Sequence, residues 1–314
     1  MPRTRLLAAL LVALTFVAAC GDDDDTADGP PTAETTPGAG SSGFPVTIES
    51  EGGTWTLASP PQRVVSLSPT ATEILFAIGA GDQVVAVDAL SSYPPEAPVT
   101  ELSGYDPNIE ALTAYEPDLV VIANDANDLV AGLTALDVPV LVSTAPGDIE
   151  SGYAEMAELG VATGRADETA EVIASMRAEV DAALAAAPDV SVRVYHELDE
   201  TYFSASSFGF IGAVYAAMGA ENIADDADAD RTGFPQLTEE YIVEADPELI
   251  VITDAASYGA ADVAARPGWQ EVTAVREGKV VAVDADIASR WGPRLPQFIT
   301  AVADALPSVT APTS

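Results

Sequence analysis

The stretch DETAEVIASMRAEVDAALAAA, Asp167 to Ala187, decides how the rest of the chain is read. Its apolar residues Ile173, Met176, Val180, Leu184 and Ala187 recur at steps of three and four and so fall on one stripe of a helix. Glu171, Arg177, Glu179 and Asp181 lie largely off that stripe. Asp167 and Glu168 suit the positive end of a helix dipole, no Gly or Pro interrupts the run, and Pro188 forces its predecessor out of helical geometry. The pattern predicts one helix over 165–187, about 30 Å long. Strand-like and helix-like segments alternate on both sides of it, so it reads as a strut between two lobes, 44–164 and 188–314.

Working outward, Val46 to Glu49 and Thr54 to Leu57 read as a hairpin, and Arg63-Val64-Val65-Ser66-Leu67 as a buried strand. A helix follows from Ser68, in which Thr70 and Glu73 have the spacing of a capping box. Further short apolar runs at 84–87, 119–122 and 138–142, and then at 192–197, 249–252 and 280–283, alternate with helical patterns. Such runs imply mainly parallel sheets covered on both faces. Two segments repeat. NIEALTAYEPDLVVIAN, Asn108 to Asn124, can be laid on TEEYIVEADPELIVITD, Thr238 to Asp254, with Pro117 on Pro247. ILFAIGA at 74–80 echoes VYAAMGA at 214–220. The fold class expected is α/β: two Rossmann-like lobes on one plan, joined by a single long helix, with a ligand cleft between the carboxyl ends of their strands.

The chain begins with an address. Arg3 and Arg5 precede an apolar run from Leu6 to Val17 that is short for a bilayer span, and Val17-Ala18-Ala19-Cys20 resembles a bacterial lipobox. The resemblance implies a signal peptide at 1–19 and acylation of Cys20. From Cys20 to Gly43 the sequence is rich in Asp, Thr, Gly and Pro and has no large apolar residue, which predicts a disordered tether.

Composition excludes several classes. Of 314 residues, 12 are Lys or Arg and 50 are Asp or Glu, a formal net charge of −38. A nucleic-acid partner needs a basic footprint, and this surface is instead a heavily hydrated acidic one. One histidine and one cysteine are too few for a zinc or manganese centre. There is no G-x-S-x-G elbow, P-loop or G-x-G-x-x-G fingerprint, so no enzyme is expected; a hydrolase pairing a serine with His196 is the remote exception.

The stretches RVVSLSPTATEILFAIGAGDQVVAV, GYDPNIEALTAYEPDLVVI, FIGAVYAAMGAENIAD, PQLTEEYIVEADPELIVI and RPGWQEVTAVREGKVVAVD, with the strut, resemble the substrate-binding proteins of bacterial ABC importers for cobalamin, iron-siderophores and haem. They cover most of 62–306 in the family's order. The resemblance implies a monomeric lipoprotein on the outer face of the cytoplasmic membrane, without a cofactor, that captures an iron(III)-siderophore or a corrinoid and delivers it to the permease subunits. In that family one glutamate on each lobe meets arginines of the permease. The matching residues are taken as Glu73 and Glu221, Glu73 being equally readable as the capping-box residue.

Ligand contacts are expected among Tyr93, Tyr105, Asn124, His196, Tyr202, Phe203 and Phe208, which lie in loops or at strand ends. Tyr105 matches a position where some haem-binding relatives place an axial tyrosine, and His196 lies where a few supply a histidine, so a haem receptor using Tyr105 and His196 is the alternative. Arg290, Trp291 and Arg294 in SRWGPR are read either as a clamp for a ligand carboxylate or phosphate, or as partners of local acids with Trp291 packed beside them.

Overall fold

The computed structural model describes residues 43–50, 53–187 and 191–306. The signal peptide, Cys20, nearly all of the tether, Pro188 and the last eight residues of the second lobe lie outside the described residues.

Chain order begins with a hairpin of β1 (Val46–Ser50) and β2 (Gly53–Leu57). The first lobe continues through β3 (Val64–Leu67), α1 (Pro69–Ala77), β4 (Val84–Val87), α2 (Ile109–Thr113), β5 (Leu119–Ile122), α3 (Leu129–Thr134), β6 (Val140–Val142) and α4 (Ile149–Thr163). The strut is α5 (Ala166–Ala186). The second lobe contains β7 (Arg193–Glu197), α6 (Phe210–Ala217), β8 (Glu221–Asn222), α7 (Glu239–Ala245) and β9 (Leu249–Ile252). It closes with α8 (Ala260–Ala264), α9 (Thr273–Arg276), β10 (Val280–Ala282), α10 (Ala285–Ala288) and α11 (Leu295–Ala305).

Each lobe has one four-stranded, wholly parallel sheet, in the orders β4-β3-β5-β6 and β8-β7-β9-β10. The strands β3, β5 and β9 are buried at every residue, as sheets covered on both faces require.

The internal repeat extends to individual hydrogen bonds. Asn108 caps α2 by accepting from the amide of Ala111, and Thr238 caps α7 by accepting from that of Tyr241. A residue in the left-handed region follows each helix, Glu116 at φ 47° shortly after α2 and Asp246 at φ 46° directly after α7. The Arg63 guanidinium donates to the carbonyls of Tyr115 and Glu116, and that of Arg193 to those of Ala245 and Asp246. Asp118 and Glu248 each accept the backbone amide of that arginine. Gly79 and Gly219, at φ 78° and 76°, terminate the equivalent helices α1 and α6, where a side chain would strain the turn.

The strut lies on the surface with its predicted stripe turned inward: Met176 and Val180 are buried, Ile173 and Leu184 half-buried. It packs on α4 and α11. One apolar cluster runs from Ile74 and Leu141 through Met176 and Val180 to Val194, Phe298 and Val302, so the two lobes share a core. Separate clusters fill the outer face of each sheet, one around Leu112 and Val120, the other around Ile250 and Trp269.

Glu73 corrects an expectation. The cap of α1 is Ser68, whose hydroxyl accepts from the amide of Ala71, so Thr70 and Glu73 form no capping box. The Glu73 side chain has no exposure at all. Its oxygens accept from Arg290 Nη1 at 2.6 Å and from Arg294 Nε and Nη2 at 2.9 and 2.6 Å. These arginines flank the start of α11, more than two hundred residues away in sequence, so the carboxylate ties the first lobe to the last helix and is not presented for docking.

Candidate ligand cleft

In each sheet the chain leaves the first central strand to one side and returns on the other, which puts a switch point between β3 and β5 and another between β7 and β9. Loops diverge at the carboxyl ends of such strands and leave a crevice there. A cavity of about 480 Å³ lies at this point. Ser68, Pro69 and Thr70 after β3, Ala89, Leu90 and Ser92 after β4, Ala123 after β5, and Tyr105 form its first-lobe wall. Asp286, Ser289, Arg290 and Trp291, between β10 and α11, form the opposite wall. A side pocket of about 270 Å³ shares Ser289 with it and runs under the second lobe, lined by His196, Leu198, Ile211, Thr253, Asp254, Ala285 and Ala288.

The walls are braced from behind. Asp88 accepts a 2.5 Å hydrogen bond from Ser91, whose hydroxyl lies 3.0 Å from that of Thr72, and Thr72 in turn donates to Ser66. Burial raises the Asp88 pKa, while Ser91 and the charge of Arg290 pull it back. Opposite, Arg290 also donates to Asp286 at 2.6 Å. Of the charged groups that line the cavity, Asp286 balances Arg290, and behind them Glu73 holds Arg290 and Arg294. Both guanidiniums of SRWGPR thus pair with acids of the fold, while Arg290 also lines the cavity. Trp291 packs edge-on against Phe210 at 6.2 Å and is nearly buried.

The remaining expected residues divide. Tyr105, Arg290 and Trp291 line the main cavity, and His196 lines the side pocket that adjoins it at Ser289. Tyr93 lies under the Arg294 guanidinium at 4.4 Å. Phe208 lies beneath Arg231 and is partly exposed, as is Phe203. Asn124 is exposed after β5 but lines neither cavity. Tyr202 turns away: its ring stacks on Trp269 at 6.1 Å, beside the guanidinium that Arg266 gives to buried Glu197. Ser68, Leu90, Asp286, Ser289 and Asp254 were not anticipated, because single small or acidic residues in loops carry no periodic signal.

His196 is fully buried; its Nδ1 lies 2.6 Å from the Tyr215 hydroxyl, and its Nε2 has no partner. Burial pushes its pKa down from the usual 6.5 to about 3. Because the folded-state value is depressed, the ring stays neutral wherever the fold persists above that value. As the chain has one histidine, its imidazole ¹⁵N resonances are expected to stay constant from about pH 8 to about pH 5, where an exposed imidazole would titrate near 6.5. A midpoint near 6.5 would show that the ring is hydrated.

Glu221 is exposed and lies opposite Arg193, the first residue of β7, in the sheet register. That places it at the amino end of the sheet, across the lobe from the cleft.

Two α/β lobes fused through one helix, with a cavity between the carboxyl ends of their sheets, define a receptor that holds a small molecule between its lobes. The chain belongs to the periplasmic binding protein family, whose profile matches residues 64–287. It is 30% identical over 317 residues to the ABC transporter substrate-binding lipoprotein YvrC of Bacillus subtilis, covering 97% of each chain. It is 34% identical over 280 residues to the cobalamin-binding protein of Halobacterium salinarum, covering 85% of this chain and 75% of that one. Among solved structures, the apo periplasmic heme-binding protein RhuT of Roseiflexus superposes with a TM-score of 0.71 at 25% identity, over 80% of this chain and 100% of that one. These relatives are binding and transport proteins, and the chain is a receptor, not an enzyme.

Proposed function

We propose that this chain captures a corrinoid of the cobalamin type between its lobes and hands it to the permease of an ABC importer. The observation that carries the choice of cargo is the cleft itself: its charges cancel within the wall, its flanks are Tyr105 and Trp291, and it offers no free cation for carboxylates. A neutral, amide-bearing macrocycle fits such walls better than haem, whose two carboxylates would need partners. The likeness to a cobalamin-binding protein over most of the chain supports the same reading. The receptor acts as a monomer held by acylated Cys20 on the outer face of the cytoplasmic membrane, which agrees with the lipoprotein named among its relatives.

Titration calorimetry with cyanocobalamin, haemin and ferrichrome tests the cargo. Cyanocobalamin is expected to bind with one-to-one stoichiometry and the other two to bind far more weakly. Preferred binding of haemin or ferrichrome would replace the corrinoid reading.

The docking carboxylates are reassigned with the cleft as reference. Three pairs of acids match in the internal repeat: Glu110 with Glu240, Glu116 with Asp246, and Asp118 with Glu248. The last two pairs sit at the amino ends of β5 and β9, where Asp118 and Glu248 are already bonded to backbone amides. Only Glu110 and Glu240, exposed in the first turns of α2 and α7, lie at the end of each lobe where the cleft opens. They form the symmetric pair that a two-point dock on a permease requires.

A further inference from the structure

The side pocket beneath the second lobe carries a polar group for which the fold itself finds no use. His196 sits on β7, is fully buried, and lines the pocket with Ile211 of α6, Thr253 and Asp254 after β9, and Ser289. Its Nδ1 is occupied by the Tyr215 hydroxyl at 2.6 Å, and Tyr215, itself completely buried, has no other hydrogen-bond partner among the described residues. A phenol kept protonated by burial satisfies its hydrogen only by donating it, so Tyr215 donates to Nδ1 and the imidazole proton resides on Nε2. The ring therefore offers one N–H donor, buried and unpaired. Leaving such a donor unmade is costly, and the cost is relieved when a ligand supplies an acceptor.

The other polar lining is Asp254, whose Oδ1 already accepts from Ser257, with the hydroxyls of Thr253 and Ser289, which donate to backbone carbonyls; no lysine or arginine lines the pocket. A carboxylate entering here would accept from His196 but face Asp254 without a compensating cation. A primary amide carries one group for each, an oxygen to accept from His196 Nε2–H and a nitrogen to donate to the Asp254 carboxylate. We infer that the side pocket is a primary-amide subsite, in which His196 and Asp254 read one peripheral carboxamide of the cargo. This rests on the corrinoid reading above and sharpens it, because His196 then acts as a fixed-tautomer donor with no role as a metal ligand.

The test uses ¹⁵N-histidine-labelled protein without a histidine tag, so that His196 gives the only imidazole signals. Cyanocobalamin is expected to shift the Nε2–H resonance while the ring stays neutral. Cyanocobalamin monocarboxylic acids, in which one propionamide is hydrolysed, are compared by calorimetry. The isomer carrying its carboxylate at the subsite is expected to bind about tenfold or more weakly than the parent, the size of one lost hydrogen bond plus the added repulsion. Asp254→Asn, on a half-exposed side chain, should leave the fold intact and narrow that difference. Binding of cyanocobalamin with an unmoved His196 signal, or equal affinity for every acid isomer, would overturn the subsite while leaving the corrinoid reading in place. No binding of cyanocobalamin would overturn that reading and the subsite with it.

Discussion

Replacing Glu73 with alanine is expected to destabilise the folded body by about 3–5 kcal/mol, because it removes one partner of a buried ionic cluster and leaves the guanidinium groups uncompensated. The side chain is wholly buried, Arg294 grips it with two donors, and Arg290 adds a third. For a body of this size the melting temperature should fall by roughly 10 °C. The loss should extend to cargo affinity, since Arg290 and Trp291 on one wall and Ser68 to Thr70 on the other are held in register through this carboxylate. Glu73→Gln keeps the shape but has one oxygen where three donors converge, and should fall between the two. A docking residue would behave in the opposite way, with unchanged melting and lost transport. Thermal melts with cyanocobalamin titrations decide between them, and an unaltered melting temperature in Glu73→Ala would contradict the buried clamp.

The second large effect concerns delivery. Glu110→Arg and Glu240→Arg are expected to retain cargo binding and to melt normally, since both side chains are exposed. Each should lower affinity for the permease by roughly thirtyfold or more, the scale found when one member of an interfacial charge pair is removed, and reversal adds repulsion. In proteoliposomes the variants should fail to stimulate the importer's ATPase. Glu221→Arg is the control: at the amino end of β7 it should transport as the unaltered chain does. Normal stimulation by the Glu110 and Glu240 variants, with loss in Glu221→Arg, would return the dock to the other end of the second lobe.

The contrast between Glu73 and the repeat shows what a sequence discloses here and what it withholds. The strut, the strands and the paired segments were legible because each depends on a period or on a duplicated register, both carried by neighbouring residues. Arg63 and Arg193 serve the same turn in each copy and match by position in the repeat, although their contacts reach across 52 and 53 residues. Glu73 is different. Its surroundings in TATEILFAIG are compatible with a cap or with an exposed turn of helix, and only the fold brings Arg290 and Arg294 to it across 217 and 221 residues. The cleft shares this property. Its lining comes from loop residues after β3, β4, β5 and β9 and from α10, a four-residue helix too short to show an apolar stripe. His196 was visible as a strand-end residue, but its Tyr215 partner, its missing Nε2 partner and the adjoining Asp254 depend on how α6 and β9 pack beside β7.

The position of the metal in a crystal grown with cyanocobalamin decides whether the cleft holds a corrinoid, since cobalt can be located by anomalous scattering at its absorption edge independently of any fitted cargo. One cobalt site per chain is expected, between the wall that carries Tyr105 and the wall that carries Trp291, with Glu73 still bound to Arg290 and Arg294 behind it. A cobalt site outside this cleft, or none in crystals soaked to saturation, would contradict it.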